Sequence, residues 1–254
     1  MIDVQNSVPA NPLELSRVGV ENVKKLIIVG SDSDAYQCVM SIDAYVTLPA
    51  HQRGAHMSRF IESIHNLSSN MHSIEDVAET LAKSILEKHH YHCETKVSGI
   101  MPFHKRNVSG GKETAIVNVC ATYDTRTKQR TIELSLKGIL ACPCSKELTG
   151  GLTHNQRGEL QLRLDTTGAP INHAYLIDIC NSCFSSPTYS LLKRPQEKSV
   201  VEKIHQNPMF VEDVVRKCAA ELKAEYPRRQ CHIKCISFES IHDHNISSQW
   251  EGTL

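Results

Sequence analysis

Two hydrophobic periods alternate along this chain, and the changes between them mark its elements. From residue 73 to 88 the apolar positions are Ile74, Val77, Ala78, Leu81 and Ile85, at offsets 0, 3, 4, 7 and 11. That spacing is one stripe on a 3.6-residue helix, opened by Ser73 as N-cap with Asp76 three residues on. The same offsets return at Val211, Val214, Val215, Cys218 and Leu222, after Asn207 and Pro208, which read as an N-cap and N1 pair. A period of two rules elsewhere. Residues 37–48 alternate, with Val39, Ser41, Asp43 and Tyr45 on one face, and Pro49 stops the run. Residues 18–29, punctuated by Gly19 and Gly30, also read as a strand, as do residues 92–103, 113–123, 130–139, 172–181 and 230–238. Turns fall at residues 109–111 and 124–125. Residues 51–64 begin polar and basic and become helical.

The order of strands, helix and strand thus occurs twice. Glu75 and Glu212 take equivalent places, each one residue after the first stripe residue. Amphipathic helices share offsets by chance, but the matching flanks favour two copies of one α+β unit. The expected division is an arm over residues 1–16, a first module over 17–126 and a second over 127–254.

A chain of 254 residues, 40% apolar and 22% charged, is long enough for a real core and too apolar to be disordered. Lys and Arg number 28, as do Asp and Glu, so the formal charge is zero. That balance argues against binding nucleic acid or an anionic membrane through bulk charge, while leaving room for a local basic pocket. The longest apolar run, residues 26–29, is far too short to span a bilayer, and the first ten residues hold no apolar signal region. A cytoplasmic location is expected, with the 10 cysteines kept as thiols. Together with 14 histidines they form an excess of the residues that serve metal sites and acid–base chemistry.

The sharpest local feature is Cys142-Pro143-Cys144-Ser145-Lys146, with His154-Asn155-Gln156-Arg157 shortly after. Pro143 stiffens a loop there, and Gly150-Gly151 turns it back. An ordinary zinc finger needs two separated ligand pairs, whereas a catalytic metal needs three protein ligands and an open position. Thiols that serve only the core or the turn are the other reading. A second cluster, Glu239 with His242 and His244, follows the last strand and fits a pocket rim or a polar tail. Residues 193–198, KRPQEK, read as a basic stretch around one buried-looking carboxylate, or as a solvated loop. Arg53 and Arg59 flank Gly54 and suit phosphate oxygens, or an ordinary surface loop; there is no Walker motif. The Cys180–Cys183 pair reads as sitting at a strand end, without the helix N-terminus that would activate a thiol. Cys231 and Cys235 share a strand face as core or interface residues.

Taken in order, HMSRF at 56–60, CPCSKE at 142–147, HNQRG at 154–158, KRPQEK at 193–198, VEDVVR at 211–216 and FESIH at 238–242 resemble the type IB GTP cyclohydrolases. These are the sequence-divergent form of GTP cyclohydrolase I used in bacterial folate synthesis, and an archaeal branch makes a cyclic phosphate product instead. The resemblance runs from the DVQN of residues 3–6 to the end of the chain. It implies an α+β tunnelling fold, with two modules in tandem, antiparallel sheets and helices on one face. It implies a homotetramer with active sites between subunits. It also implies conversion of GTP and water to 7,8-dihydroneopterin triphosphate and formate, the first step toward tetrahydrofolate, with a divalent ion (Zn, Mn or Fe).

By motif position, Cys142 and His154 resemble the metal ligands, and Glu197 and Glu239 the carboxylates close to the metal. His242 resembles the proton-transfer histidine, and Glu212 the glutamate that anchors a purine edge. Arg53, Arg59, Lys146, Arg157, Lys193 and Arg194 are candidates for the triphosphate. Thr153 stands where Ala is expected and Gln196 where Asp is common, and neither removes a functional group from this assignment.

Two other readings stay open. A cysteine-dependent, NADPH-using reductase of a deazaguanine nitrile shares the fold, the thiol and the purine-anchoring glutamate, but a basic cofactor motif of its kind is missing. A non-catalytic module would hold structural zinc in a closed site with Cys142, Cys144 and His154.

Overall fold

The structure, a computed structural model, describes residues 4–30, 35–68 and 70–254. Asp3, the first residue of the DVQN motif, and residues 1–3 of the expected arm lie outside the described residues. The fold class is α+β, with antiparallel strands and helices on one side of them. The chain divides into two compact units. The first holds Met1–Met101, Val119–Ile132 and Thr166–Gly168; the second holds Pro102–Asn118, Glu133–Asp165 and Ala169–Leu254.

In the first unit β1 (Leu15–Val29) pairs antiparallel with β2 (Tyr36–Leu48), Leu26 opposite Val39. β2 pairs in turn with β4 (Cys93–Arg106), and β3 (Asn70–Met71) adds in parallel to the end of β1. The alternation expected in β2 is present: Cys38, Met40, Ile42, Ala44, Val46 and Leu48 are buried. The other set, with Val39 and Tyr45, is more exposed. α2 (Ile74–His89) packs on β2 with all five stripe residues at most 1% exposed. Ile74, Val77, Leu81 and Ile85 each contribute roughly 1.5–3 kcal/mol on leaving water. Ser73 Oγ accepts from Asp76 N–H at 3.1 Å, closing the helix start as the sequence predicts. Thr95 Oγ1 donates to the Ala78 carbonyl at 2.7 Å and ties β4 to the helix. α1 (Met57–Asn66) packs against α2 and β1. Gly19 departs from expectation, lying inside β1 and not at its edge. A Cβ there would meet the Ala44 carbonyl oxygen at 1.8 Å, so the two strands can approach only at a glycine.

In the second unit the strand order is β10 (Ile246–Thr253), β9 (Gln230–Phe238), β7 (Asn155–Asp165) and β6 (Arg130–Ala141), followed by β5 (Lys112–Asp124). β8 (Ser186–Pro187) pairs with β6. α6 (Val211–Glu225) packs on β9 and β10 with Val211, Val214, Val215, Cys218 and Leu222 buried. Cys231, Ile233, Cys235 and Ser237 are the buried residues of β9, so these two cysteines are core residues.

Four expectations are corrected. Residues 172–181 form α4 (His173–Ser182), not a strand, because Asn172 caps it by accepting from Tyr175 N–H at 3.0 Å. The alternation there is also met by Leu176, Ile177 and Cys180 on one helix face. Asn207 does not open α6; it ends α5 (Arg194–Gln206), and its Nδ2 donates to the carbonyls of Phe184 and Ser185. Asp213 closes the start of α6 instead, accepting from Phe210 N–H at 3.1 Å. The KRPQEK stretch opens α5 and is not a loop, and Glu197 in its first turn is exposed, not buried. The loop expected after Cys142 is the short helix α3 (Pro143–Thr149), turned back by Gly150 and Gly151 at φ 70° and 139°. β10 adds a strand that periodicity does not predict, since its segment ISSQWEGT carries little apolar alternation.

Candidate active site

The second unit gathers the chemistry at the end of β6 and the start of β7. Cys142 follows β6 directly and caps α3, its Sγ accepting from Ser145 N–H at 3.5 Å. The backbone N–H of Cys142 donates to the His154 carbonyl at 3.3 Å. Thr153 Oγ1 donates to the Cys142 carbonyl at 2.7 Å, so the threonine found in place of an expected alanine clamps the two segments. Both Cys142 and His154 are half-buried, whereas Cys144 is exposed.

β9 brings Glu239 to the same place, because Arg157 of β7 stands opposite Phe238. His154 Nδ1 lies 3.0 Å from Gln156 Oε1 and 3.3 Å from Ser240 Oγ. Gln156 Nε2 donates to Ser237 Oγ at 3.1 Å and to Glu239 Oε1 at 3.2 Å. Ser237 Oγ donates to Glu239 Oε1 at 2.6 Å. Gln156 thus joins His154 to Glu239. It belongs to the HNQRG motif, but residue type alone assigns it no role. A signal for it was present: His154 and Gln156 are two residues apart on extended chain, and so share one face.

The other candidates stand apart from this network. Glu197, Glu212 and His242 are exposed, in the first turn of α5, in the first turn of α6 and beyond β9. The His242 and His244 rings stack at 5.3 Å. Arg157 and Lys193 are exposed in the second unit, as is Arg194. Lys146 Nζ donates to the His205 carbonyl at 2.6 Å. Arg53 and Arg59 belong to the first unit, where Arg53 is exposed and Arg59 Nη1 donates to the Lys88 carbonyl at 3.0 Å. Gln196, the second departure, donates to Ser109 Oγ at 2.6 Å. Among the described residues no group of three or more His, Cys, Asp or Glu side chains is placed to hold a metal.

Seven other thiols, Cys38, Cys93, Cys180, Cys183, Cys218, Cys231 and Cys235, are buried. Burial pushes Cys93, Cys231 and Cys235 up to about 12, which keeps them protonated and unreactive. The Cys180–Cys183 pair lies at the C-terminal end of α4, with both thiols buried. Among the described residues no helix is long and apolar enough to cross a membrane.

Antiparallel strands with helices on one side of them are the packing of a tunnelling-fold protein. The structures this chain resembles have that fold: the urate oxidase of Bacillus sp. TB-90 matches with a TM-score of 0.53 at 11% identity, over 94% of this chain and 100% of that one. The uricase of Arthrobacter globiformis matches with a TM-score of 0.50 at 10% identity, over 93% of each chain. Residues 1–248 match the family described as type I GTP cyclohydrolase folE2, and the chain belongs to that family. It is 31% identical to the GTP cyclohydrolase FolE2 of Thermosipho melanesiensis, over 100% of this chain and 99% of the relative. It is 31% identical to the GTP cyclohydrolase MptA of Pyrococcus abyssi, over 98% of each.

Proposed function

We propose that this protein is a metal-dependent GTP cyclohydrolase I, converting GTP and water to 7,8-dihydroneopterin triphosphate and formate at the head of tetrahydrofolate synthesis. The observation that carries the reading is the bonded arrangement of Cys142, His154 and Glu239 in a chain of this family. The donor set suits a divalent ion. With Nδ1 of His154 engaged by Gln156, Nε2 is the nitrogen left for a ligand role, beside a half-buried thiol. Cys142 and His154 would hold the ion, with Glu197 and Glu239 close by. A soft thiolate and a borderline imidazole accommodate Zn, and Mn or Fe as well. When bound, such an ion supplies Lewis acidity, which lowers the pKa of the water that attacks guanine C8.

The protein's own groups do the rest. Glu212, exposed at the start of α6, offers two carboxylate oxygens to the guanine N1–H and 2-amino group. His242 protonates N7 as the imidazole ring opens. Arg53, Arg59, Lys146, Arg157, Lys193 and Arg194 supply cations for the triphosphate. The exposure of Glu197, Glu212 and His242 on a single chain suits a homotetramer that completes each site at a subunit interface.

The test is GTP turnover by metal-stripped protein reconstituted with individual divalent ions. Formate release, and a product that becomes a fluorescent pterin on oxidation, are expected. Intact GTP with every ion would overturn the reading. Analysis of the product separates the open triphosphate from the cyclic phosphate of the archaeal branch.

A further inference from the structure

We infer that Gln156 is a positioning residue: its amide reads the carboxylate of Glu239 and, in consequence, fixes which nitrogen of His154 carries the hydrogen. The inference deepens the function proposed above and rests on it.

The orientation follows from donors and acceptors alone. A carboxylate can only accept, so Glu239 Oε1, 3.2 Å from the Gln156 amide, demands that amide's nitrogen. The Ser237 hydroxyl, already donating to Glu239, accepts from the same nitrogen at 3.1 Å. The two acceptors lie only 2.6 Å apart and share that nitrogen's hydrogen. The amide oxygen is left facing Nδ1 of His154 at 3.0 Å. Two facing lone pairs would repel, so Nδ1 carries the hydrogen and Nε2 keeps its lone pair. The Ser240 hydroxyl, 3.3 Å from Nδ1, fits as a second acceptor. Ser237 is 2% exposed, which anchors the chain of bonds in the packed face of β9. An imidazole held in this way through its other nitrogen is oriented and made more basic toward a metal ion. Losing such a partner costs about 10–100-fold in metal affinity.

The experiment measures zinc affinity of the metal-stripped full-length protein by competition with a chromogenic chelator, together with the visible spectrum of the Co(II) form. Gln156→Leu, which has neither acceptor nor donor, should bind zinc about 10–100-fold more weakly and alter the cobalt spectrum. Gln156→Glu loses the donors and sets a second carboxylate near Glu239 but keeps an acceptor for Nδ1–H, so it should retain more affinity than Gln156→Leu. Should the leucine variant fail to assemble, Gln156→Met takes its place. An apolar variant that binds zinc as tightly as wild type, or equal losses in the apolar and glutamate variants, would overturn the inference. His154→Ala is the reference: unchanged zinc affinity there would overturn the metal assignment itself and this inference with it.

Discussion

The rings of Phe60 and His89 lie 4.4 Å apart, centroid to centroid and tilted by 43°, inside the first unit. Phe60 is fully buried and His89 only 3% exposed. His89 Nε2 finds no hydrogen-bond partner among the described residues. Burial, with the nearby Arg59 and then His56, His90 and Lys88, brings its pKa from the ordinary 6.5 down to about 4. The unfolded chain therefore binds a proton that the folded chain refuses between those values. Stability is unaffected above about pH 6.5 and falls as pH drops toward 4, by up to about 3 kcal/mol. Urea unfolding from pH 7 to 4 should show a shallower acid decline in His89→Leu than in wild type. Identical declines would assign the acid sensitivity to another group.

Arg130 makes a different kind of buried contact. Its side chain, 16% exposed, reaches Asp76 at 2.8 Å, Glu79 at 3.0 Å and Ser73 Oγ at 3.0 Å. One planar guanidinium thus holds the first turns of α2 to β6. Arg130→Ala should cost about 1–2 kcal/mol, since Asp76 and Ser73 lose their partner while Glu79 keeps Lys83 at 2.7 Å. Arg130→Lys should recover only part, because a single ammonium cannot match the fork. Chemical denaturation of the two variants measures both.

Gly138 has no room for a methyl group. A Cβ there would fall 2.1 Å from Cγ of Phe184, which is 1% exposed and cannot move aside. Gly138→Ala should lose about 1–3 kcal/mol or more. Adding Phe184→Leu should return some of that stability, and a double-mutant cycle reads the coupling.

Cys142→Ser separates the chemistry from the fold. A serine hydroxyl caps α3 at least as well as a thiol that accepts at 3.5 Å. Thermal unfolding and assembly should stay near wild type. GTP turnover should be lost, because a neutral hydroxyl does not replace a thiolate ligand. Retained turnover would remove Cys142 from the proposed site.

Helices α2 and α6 were legible because an apolar stripe that runs along one side for several turns fits a helix and no strand, and every stripe residue is buried. α4 was not, because residues 172–181 satisfy both periods; the local signal that decides between them is the cap at Asn172, which accepts from Tyr175 N–H three residues on. β10 was illegible for the opposite reason: a polar edge strand is defined by its pairing with β9, Trp250 opposite Ile233, and not by apolar alternation. Among the candidate residues, Cys142, His154 and Glu239 stood out by residue type. Gln156 did not, as an amide has no chemistry of its own until its neighbours orient it.

The sequence by itself therefore determined the main elements, the α+β class and the candidate site residues, because periodicity and residue type are local properties of the chain. Only the tertiary structure decided that Gln156 meets Glu239, 83 positions away, and that Cys142 bonds back to His154. The first of these contacts depends on strand register between β7 and β9, where a shift of one residue would turn Gln156 to the opposite face.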